Sequence, residues 1–555
     1  MDAEIMKAMP SNERARATLV ALARAAGALA ALVLLNQSVT FYNVWPTPRV
    51  RWQGHLSVEL AVLVAVLAAA AWRHGRPGRR LLRAAAAVWV LLVVGRYLDV
   101  MAPALYGRPV NLYWDARHLA AVGAMMTDAV ATPLLVGGLI ALSAFLALLY
   151  GAGRLAIGAV AGVLAWPRGR VVLGTLAAGA LLVAAVGERA TGAGLPAFAV
   201  PVSAAYYRQA RLLATQIALR DAAVETSRRF SDSDLSRVAG ADVYLTFVES
   251  YGAVTYDRPE VATALEPARA ALQADIEASG RQVVSAFVES PTFGGSSWLA
   301  HVSLITGVET RDEQTNATVM AQERDTLVTA FARVGYRTVA LMPGLRQAWP
   351  EGAFYGFDHV YDTAEIAYHG PRFGWWTVPD QFALARLDVL EAGHDASRPR
   401  FVFFPTTSTH APFGPTAPYQ PDWEALLSST PFGEADVTRA LARVPDYLNL
   451  APSYVHAVQY AWRTLGGYLR MHADRDLVMI VVGDHQPAAA VAGEGASWDV
   501  PVHVITGRGA VLDRLQAAGF APGLAPPRQA ISKLHALLPA LLDAFGDPAP
   551  ARASR

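Results

Sequence analysis

The sequence contains no cysteine, and its 47 basic residues nearly balance its 46 acidic residues, which gives a net charge of +1. The absence of cysteine excludes disulfide bonds, thiolate metal ligands and thiol catalysis. The near-zero net charge removes the electrostatic case for nucleic-acid binding. At 555 residues the chain is too long for one ordinary domain, so we expect two or more folded units.

Long apolar runs are concentrated in the first third of the chain. A helix needs about 20 mostly apolar residues to cross a membrane. Because further spans follow the first run, that run is not interpreted as a removable signal peptide. A shorter apolar stretch at 155–166 is interpreted as an interfacial or connecting segment. The five predicted spans lie at about 17–36, 56–72, 83–102, 131–151 and 171–188.

The distribution of basic residues predicts the orientation of these spans, because cytoplasmic segments are enriched in lysine and arginine. The loops assigned to the outer side of the membrane hold fewer basic residues than the cytoplasmic segments do. They contain Arg49, Arg51, Arg96, Arg108 and Arg117. The N-terminus is therefore predicted to be cytoplasmic, and five crossings place the chain after about residue 190 outside. We expect a multi-pass protein of a bacterial inner (plasma) membrane with a periplasmic domain. The cytoplasmic set is Lys7, Arg14, Arg16, Arg73, Arg76, Arg79, Arg80, Arg83, Arg154, Arg168 and Arg170.

Residues 202–230 mix apolar and aromatic side chains with arginines such as Arg208 and Arg211. This pattern is typical of an amphipathic helix lying on a membrane surface. A linker helix packed on the soluble domain explains the pattern equally well. We therefore predict a transmembrane domain at 1–190, a juxtamembrane amphipathic linker at 191–240, a catalytic domain at 241–545 and a tail at 546–555.

From about residue 240, short apolar strands alternate with helical segments, which predicts a mostly parallel sheet with helices on both faces. In such folds ligands bind beyond the carboxyl ends of the strands. The predicted helices lie at 260–279, 297–306, 322–334, 376–393, 452–473 and 528–545. The predicted strands lie at 242–249, 282–288, 337–342, 401–407, 477–482 and 501–505.

Polar residues follow three of these strands. Glu249 ends the first, His410 comes shortly after the fourth, and Asp484 and His485 follow the fifth in the segment VVGDHQP. Carboxylate and imidazole ligands without thiolate suit Mn²⁺, Zn²⁺ or Mg²⁺. Taken alone, Asp484 and His485 could be an aspartate that caps a turn beside a surface histidine. Glu249 alone could be a capping or salt-bridged glutamate. Their convergence on one sheet edge favours a metal site.

The segment PTFGGSSWLAHVSLITG at 291–307 places Ser296 and Ser297 after two glycines and at the start of a predicted helix. Free backbone N–H groups and the helix dipole at such an end stabilise negative charge, which suits a serine nucleophile. A plain N-cap serine is the common alternative.

Taken together, these motifs resemble the sulfatase/alkaline phosphatase superfamily. The shared order is a strand-end glutamate, a hydroxyl residue opening a helix that ends in Leu-x-Thr-Gly, a later histidine and then Gly-Asp-His. The membrane layout is most similar to lipoteichoic-acid synthases and to phosphoglycerol transferases of periplasmic glucans. The absence of cysteine excludes the formylglycine precursor that many sulfatases use.

The resemblance implies roles for individual residues. Glu249, Asp484 and His485 match the metal ligands of the family, and Ser297 matches the nucleophile, which also contacts the metal. Ser296 is the alternative nucleophile, and serine replaces the threonine of the related transferases. His410 matches a histidine that contacts the substrate phosphate or the leaving group, and we assign it both a catalytic and a substrate-binding role.

Two further positions are expected to bind substrate. Trp349 resembles an aromatic residue of the phosphoglycerol pocket. The arginine expected just after it is replaced by Glu351, and Arg346 could supply the positive charge instead. His301 and Asp380 are interpreted as structural residues.

The implied activity is metal-dependent transfer of a phospho-head group through a phosphoserine intermediate. The cofactor is one divalent ion, with Mn²⁺ preferred over Zn²⁺ or Mg²⁺. The expected partners are a membrane phospholipid donor, phosphatidylglycerol first and phosphatidylethanolamine second, and a glycan or lipid acceptor. A sulfatase or phosphodiester hydrolase is the alternative enzyme, and a sensor or scaffold with a degenerate domain is the non-catalytic one.

Overall fold

The computed structural model describes residues 11–44, 47–106, 109–116, 119, 122–123, 126–127, 130–191, 197–218, 233–347, 349–374, 376–394 and 397–547. The chain divides into two compact units. One comprises Met1–Pro103 with Pro109–Ala218, and the other comprises Ala104–Arg108 with Leu219–Arg555. Each unit is described separately below.

The first unit is built from long apolar helices. Two short antiparallel strands, β1 (Tyr42–Asn43) and β2 (Val50–Arg51), lie in the connection after the first helix. The helices are α1 (Ser11–Thr40), α2 (Val58–His74), α3 (Arg79–Tyr106), α4 (Leu112–Asp115), α5 (Thr132–Leu164), α6 (Pro167–Thr191) and α7 (Val202–Ala218).

Four stretches of these helices are long and apolar enough to cross a membrane, and they coincide with four of the five predicted spans. The remaining predicted span, at about 56–72, forms α2, whose 17 residues stand at the lower end of the range that spans a bilayer. The four stretches are Thr18–Thr40, Arg79–Leu105, Thr132–Leu164 and Pro167–Gly187.

Two details of the predicted membrane region were wrong. The stretch 155–166 is not a separate connecting segment, because most of it continues the single helix α5. Glycine is tolerated in membrane helices, so Gly158 and Gly162 do not interrupt the apolar run. Arg96 does not lie in a loop: it is buried in α3, where its Nε donates to the Phe41 carbonyl at 2.8 Å.

The predicted amphipathic segment is helical over α7, and its continuation at 219–230 lies outside the described residues. Within its own unit, α7 contacts α3. The Tyr206 hydroxyl donates to the Leu91 carbonyl at 2.6 Å, and Arg208 pairs with Asp99 at 2.8 Å.

The second unit is an α/β domain, and its long strands agree with the predicted ones. The predicted helices at 260–279 and 452–473 appear as α9 and α16, and that at 297–306 appears as α10 with the predicted bounds. The helices are α8 (Val254–Asp257), α9 (Pro259–Ala278), α10 (Ser297–Thr306), α11 (Glu313–Met320), α12 (Leu327–Arg333), α13 (Thr363–Ile366), α14 (Asp380–Glu391), α15 (Glu434–Leu441), α16 (Ala451–Met471), α17 (Ala489–Ala492), α18 (Gly509–Ala517) and α19 (Leu537–Phe545). The strands are β3 (Asp242–Val248), β4 (Gln282–Glu289), β5 (Arg337–Leu341), β6 (His359–Tyr361), β7 (Arg400–Pro405), β8 (Leu477–Gly483), β9 (Asp499–Thr506), β10 (Ala521–Pro522) and β11 (Ser532–Lys533).

These described strands form one mixed sheet with the order β10-β4-β9-β8-β3-β7-β5-β6, and β11 pairs with β4. The run from β8 to β6 is parallel, whereas β9 is antiparallel to both of its neighbours. Because β9 alone reverses direction between β8 and β4, the carboxyl ends of β4, β8, β3 and β7 lie at the same edge. The predicted α/β fold with a mostly parallel sheet is confirmed.

Helices cover both faces of this sheet, which explains why its central strands are apolar throughout. On one face, Val243, Leu245 and Phe247 of β3 belong to a buried cluster that includes residues of α10, α12, α18 and α19. On the other face, the Tyr244 hydroxyl lies 2.8 Å from that of Tyr468 in α16.

The predicted orientation can be tested with a reporter protein that is active only outside the cytoplasm. Fused after Arg555, the reporter should be active, because five crossings place the C-terminus outside. Inserted at Gly75 in the arginine-flanked link between α2 and α3, it should be inactive. Activity is measured in intact cells. If the C-terminal fusion were inactive and the insertion at Gly75 active, the topology would be the reverse of the predicted one.

Candidate active site

The site begins with the pairing of β3 and β8. Val248 lies directly opposite Gly483 in this parallel ladder, so the next residues, Glu249 and Asp484, leave the sheet side by side. Gly483 is required here, because a Cβ atom at this position would lie 1.8 Å from the Tyr251 carbonyl oxygen. The strand register therefore brings two carboxylates together.

Glu249, Asp484 and His485 offer ligand atoms that all lie within 4.8 Å of one another. His485 Nε2 lies 3.5 Å from Glu249 Oε1 and 3.7 Å from Asp484 Oδ2. The other ring nitrogen, Nδ1, donates to the Gln486 carbonyl oxygen at 2.7 Å. This bond leaves Nε2 free to bind a cation, as in many histidine-ligated metal sites.

Backbone groups fix the two carboxylates. Asp484 Oδ1 accepts from the Ser250 N–H at 2.7 Å and from the His485 N–H at 2.6 Å. The Glu249 N–H donates to the Thr406 hydroxyl at 3.1 Å, which ties the end of β3 to the end of β7. Ser250 has a φ of 56°, in the left-handed region that non-glycine residues rarely adopt. The carboxylates are thus held by the chain itself.

The pKa shifts of the three clustered side chains indicate whether the cluster favours a bound cation. Burial and the charge of Glu249 raise the pKa of Asp484 well above its ordinary value. Burial also acts to raise the pKa of Glu249, but the hydrogen bond and charge of His485 lower it overall. Burial lowers the pKa of His485, and the two carboxylates more than offset this and raise it to about 9. Two buried carboxylates with one histidine thus favour a bound positive charge.

Ser297 joins this cluster as the first residue of α10. Its hydroxyl donates to Glu249 Oε2 at 2.9 Å and lies 3.2 Å from His485 Nε2. Ser296, the alternative nucleophile, is the N-cap residue with a φ of 64°, and its side chain makes no capping hydrogen bond. The structure therefore brings Ser297 to the predicted ligands.

The loop that carries Ser297 is tied to the loop that carries the ligands. The Gly294 N–H donates to the Gln486 carbonyl at 3.1 Å, and the Ser290 hydroxyl donates to the Asp484 carbonyl at 2.5 Å. Gly295 has a φ of 145°, which only glycine adopts readily. Sequence analysis missed Ser290 and Gln486, because backbone carbonyl contacts leave no pattern in a sequence.

His410 lies in the loop after β7. Its Nδ1 atom lies 2.6 Å from the Ala411 carbonyl, and its ring packs edge-to-face against Trp376 at 5.3 Å. Trp376 was not predicted, because it lies about thirty positions earlier in the chain, outside any recognised motif. The Nδ1 contact leaves the Nε2 atom of His410 available to a substrate.

Asp380, at the start of α14, holds the same loop. Its carboxylate accepts from the Thr407 N–H at 2.8 Å and from the Ser408 N–H at 3.0 Å. Burial raises its pKa above the ordinary value. His301 is also buried, between Phe247 and Phe403, and burial lowers its pKa to about 3. These positions fit the structural roles that we expected for both residues.

The two predicted substrate-binding residues follow β5. Arg346 is exposed, and Trp349 is partly buried. The Trp349 ring packs on Tyr355 with centroids 5.2 Å apart and lies against the hydrophobic core. Their role toward a substrate stays a prediction.

The donor set fits a divalent cation. Oxygen and nitrogen atoms meet at one point, from Glu249, Asp484, His485 and the Ser297 hydroxyl. One divalent ion would balance the negative charges of the two carboxylates. Oxygen and nitrogen donors without thiolate are compatible with Mn²⁺, Zn²⁺ and Mg²⁺ alike.

Comparison with known protein families gives a match within the second unit. Residues 299–502 match the family model described as Sulfatase, which confirms the predicted resemblance to the sulfatase/alkaline phosphatase superfamily. No curated protein matches the sequence.

Similar solved structures include a synthase and two transferases. The lipoteichoic acid synthase LtaP from Listeria monocytogenes is 16% identical, with 53% of this chain and 71% of that chain covered and a TM-score of 0.35. The lipooligosaccharide phosphoethanolamine transferase EptA from Neisseria meningitidis is 14% identical, with 88% and 95% covered and a TM-score of 0.48. The phosphoglycerol transferase GacH from Streptococcus pyogenes is 11% identical, with 61% and 80% covered and a TM-score of 0.35.

Removal of either carboxylate or of the imidazole should empty the cluster of metal. In Glu249→Ala, Asp484→Ala and His485→Ala we expect metal affinity to fall by at least about 10–100-fold, the loss seen even for outer partners of metal sites. Bound metal is measured by elemental analysis after gel filtration. His359→Ala, an exposed histidine paired with Glu365, is the control and should keep its metal. Full metal occupancy in the three variants would contradict the assignment.

Asp380→Asn should loosen the loop that carries His410. The amide presents a donor where the carboxylate accepts, which leaves a buried backbone N–H unsatisfied at a cost of about 1–3 kcal/mol. We expect a lower free energy of unfolding in urea and a lower turnover, with metal content unchanged. Asp325→Asn, an exposed partner of Arg333, is the matched control. Unchanged stability and turnover in Asp380→Asn would show that Asp380 does not position the loop that carries His410.

Proposed function

We propose that this sulfatase-superfamily protein transfers a phospho-head group from a membrane phospholipid to an extracytoplasmic glycan or lipid acceptor, with Ser297 as the nucleophile. The observation that carries the proposal is the position of the Ser297 hydroxyl, at the N-terminus of α10 and 2.9 Å from Glu249 within the candidate metal centre. Ser296 lacks such contacts, so the geometry supports Ser297 over its neighbour.

The surroundings of Ser297 favour a reaction that develops negative charge. The N-terminus of α10 presents the positive end of the helix dipole to this point. A divalent cation bound by Glu249, Asp484, His485 and the Ser297 hydroxyl would stabilise the alkoxide and the charge on the phosphoryl oxygens. Mn²⁺ is the preferred ion, with Zn²⁺ or Mg²⁺ as alternatives.

The reaction has two balanced steps. In the first, a bond forms between Ser297 Oγ and phosphorus while the bond from phosphorus to the diacylglycerol oxygen breaks. The Ser297 proton passes to solvent, and the leaving oxygen takes a proton through His410. In the second, an acceptor hydroxyl loses its proton to His410 and bonds to phosphorus. The bond to Ser297 breaks, and the serine regains a proton.

The membrane helices favour a lipid as the donor, because enzyme and donor are then confined to the same surface. We assign the catalytic domain to the periplasmic side of a bacterial inner membrane. Phosphatidylglycerol is the first choice of donor and phosphatidylethanolamine the second. Trp349 and Arg346 are proposed to contact the head group.

A trapped intermediate tests the nucleophile. Purified full-length protein with Mn²⁺ and phosphatidylglycerol, but no acceptor, should accumulate a phosphoglycerol adduct on a peptide that contains Ser297. Peptide mass spectrometry identifies both the residue and the added mass, and phosphatidylethanolamine is tested in parallel. Ser297→Ala should abolish the adduct and keep most of its metal, whereas Ser297→Thr should retain part of the activity.

The outcomes separate the alternatives. An adduct on Ser296 would move the nucleophile by one position. Rapid release of the head group to water, without transfer to any glycan or lipid, would indicate a hydrolase. Undiminished turnover in the Ser296→Ala/Ser297→Ala double variant would exclude serine catalysis at this motif. Ser303→Ala, a buried serine further along α10, controls for damage to the helix.

A further inference from the structure

A second polar cleft lies beside the His410 loop. It has a volume of about 480 Å³, in the range of small-molecule sites, and it is formed by the segment after β7 together with α15 and α16. We call it the basic cleft, and its lining includes the ionisable residues Asp436, Arg439, Arg443, His456 and Arg463.

The charges of the basic cleft are unbalanced. Arg439 pairs with Asp436 at 2.9 Å, which accounts for the single carboxylate. Within the described residues, no carboxylate lies within 4.0 Å of Arg443 or Arg463. Three arginines thus face one aspartate, and two positive charges have no partner of opposite sign.

Neighbouring side chains hold these two arginines in place without neutralising them. The Arg463 guanidinium lies over the Tyr419 ring at 4.3 Å. Arg443 donates to His456 Nε2 at 2.8 Å. Burial and the charge of Arg443 lower the pKa of His456, so its ring is neutral and accepts this bond. Guanidinium groups placed in this way suit the recognition of a phosphate or a carboxylate.

The basic cleft lies next to the cavity around His410, and the two share part of their walls. Thr416 and Ala417 line both, and the cavity is also lined by Trp376 and His410. The Thr416 hydroxyl and the Trp376 Nε1–H are buried, and neither has a hydrogen-bond partner among the described residues. Buried polar groups are rarely left unpaired, so these two groups point to a polar ligand between the cleft and His410.

We infer that the basic cleft binds an anionic group, a phosphate or a carboxylate, carried by the acceptor of the transfer reaction. This inference rests on the proposed function. The phosphate that is transferred must lie at Ser297, so a separate anion site recognises a second charge. Phosphatidylglycerol has an uncharged glycerol beyond its phosphate, and phosphatidylethanolamine has a cation. Neither donor carries a second anion in its head group, so the second anion is assigned to the acceptor.

The binding test uses full-length protein in a neutral detergent, treated with a chelator so that no metal attracts phosphate. We expect wild type to bind glucose 6-phosphate at least about 10-fold more tightly than glucose, and Arg443→Gln/Arg463→Gln to lose this preference, because hydrogen bonds to charged groups are the strong ones. Affinity is measured by calorimetry. Arg470→Gln, on α16 but outside the cleft and paired with Asp275, is the matched control and should bind as wild type does.

Transfer assays then separate acceptor from donor. With phosphatidylglycerol and Mn²⁺, the double variant should show a raised KM for glucose 6-phosphate, an unchanged KM for the lipid and an unchanged yield of Ser297 adduct. Equal affinity of wild type for glucose and glucose 6-phosphate would overturn the inference. So would a raised KM for the lipid alone, which would assign the cleft to the donor.

Two controls keep the result interpretable. The unfolding temperature of each variant is recorded, and Arg443→Lys, which keeps the charge, should retain part of the binding. Arginine-dependent binding of glucose 6-phosphate without any adduct on Ser297 would support the anion site and contradict the proposed transfer. An adduct on Ser297 without such binding would contradict the anion site and leave the transfer reaction supported.

Discussion

The parallel pairing of β3 with β8 places Glu249 beside Asp484, and the rest of the site depends on that contact. Two carboxylates that leave adjacent buried strands repel each other and lose hydration, which is costly unless a cation is bound. His485 supplies part of the positive charge, and its fixed Nδ1 bond directs Nε2 to the same point. The strand register thus determines the position of the site and makes it suitable for a bound cation.

Ser297 reaches this point through a different constraint. The strand that leads to it, β4, is separated from β8 by the reversed strand β9. The connection after β4 must therefore cross one strand width, and its bonds to the Asp484 and Gln486 carbonyls hold it across that gap. The glycine pair before Ser296 permits the backbone conformation that this crossing needs, and α10 then begins with its N-terminus at the carboxylates.

The sequence predicted the long strands, the start of α10 and the proximity of Glu249, Asp484 and His485. Each is encoded locally: by an apolar run, by a glycine pair before a helix, or by polar residues at a strand end. The reversal of β9 could not be predicted in this way, because a buried strand has the same composition in either direction. Trp376, Gln486 and the basic cleft were missed for a related reason. Their neighbours in space are distant in sequence, and no motif joins them.

The location of the basic cleft has a consequence for how this fold acquires specificity. Glu249, Asp484 and His485 follow strand ends, where a shift of one residue would disrupt the sheet. Arg443 lies in the long connection between β7 and α16, and this connection can change without altering the strand register. Loops on a rigid scaffold carry recognition for this reason. In the proposed reaction, the sheet would set the donor chemistry, and the connection that follows β7 would contribute to the choice of acceptor.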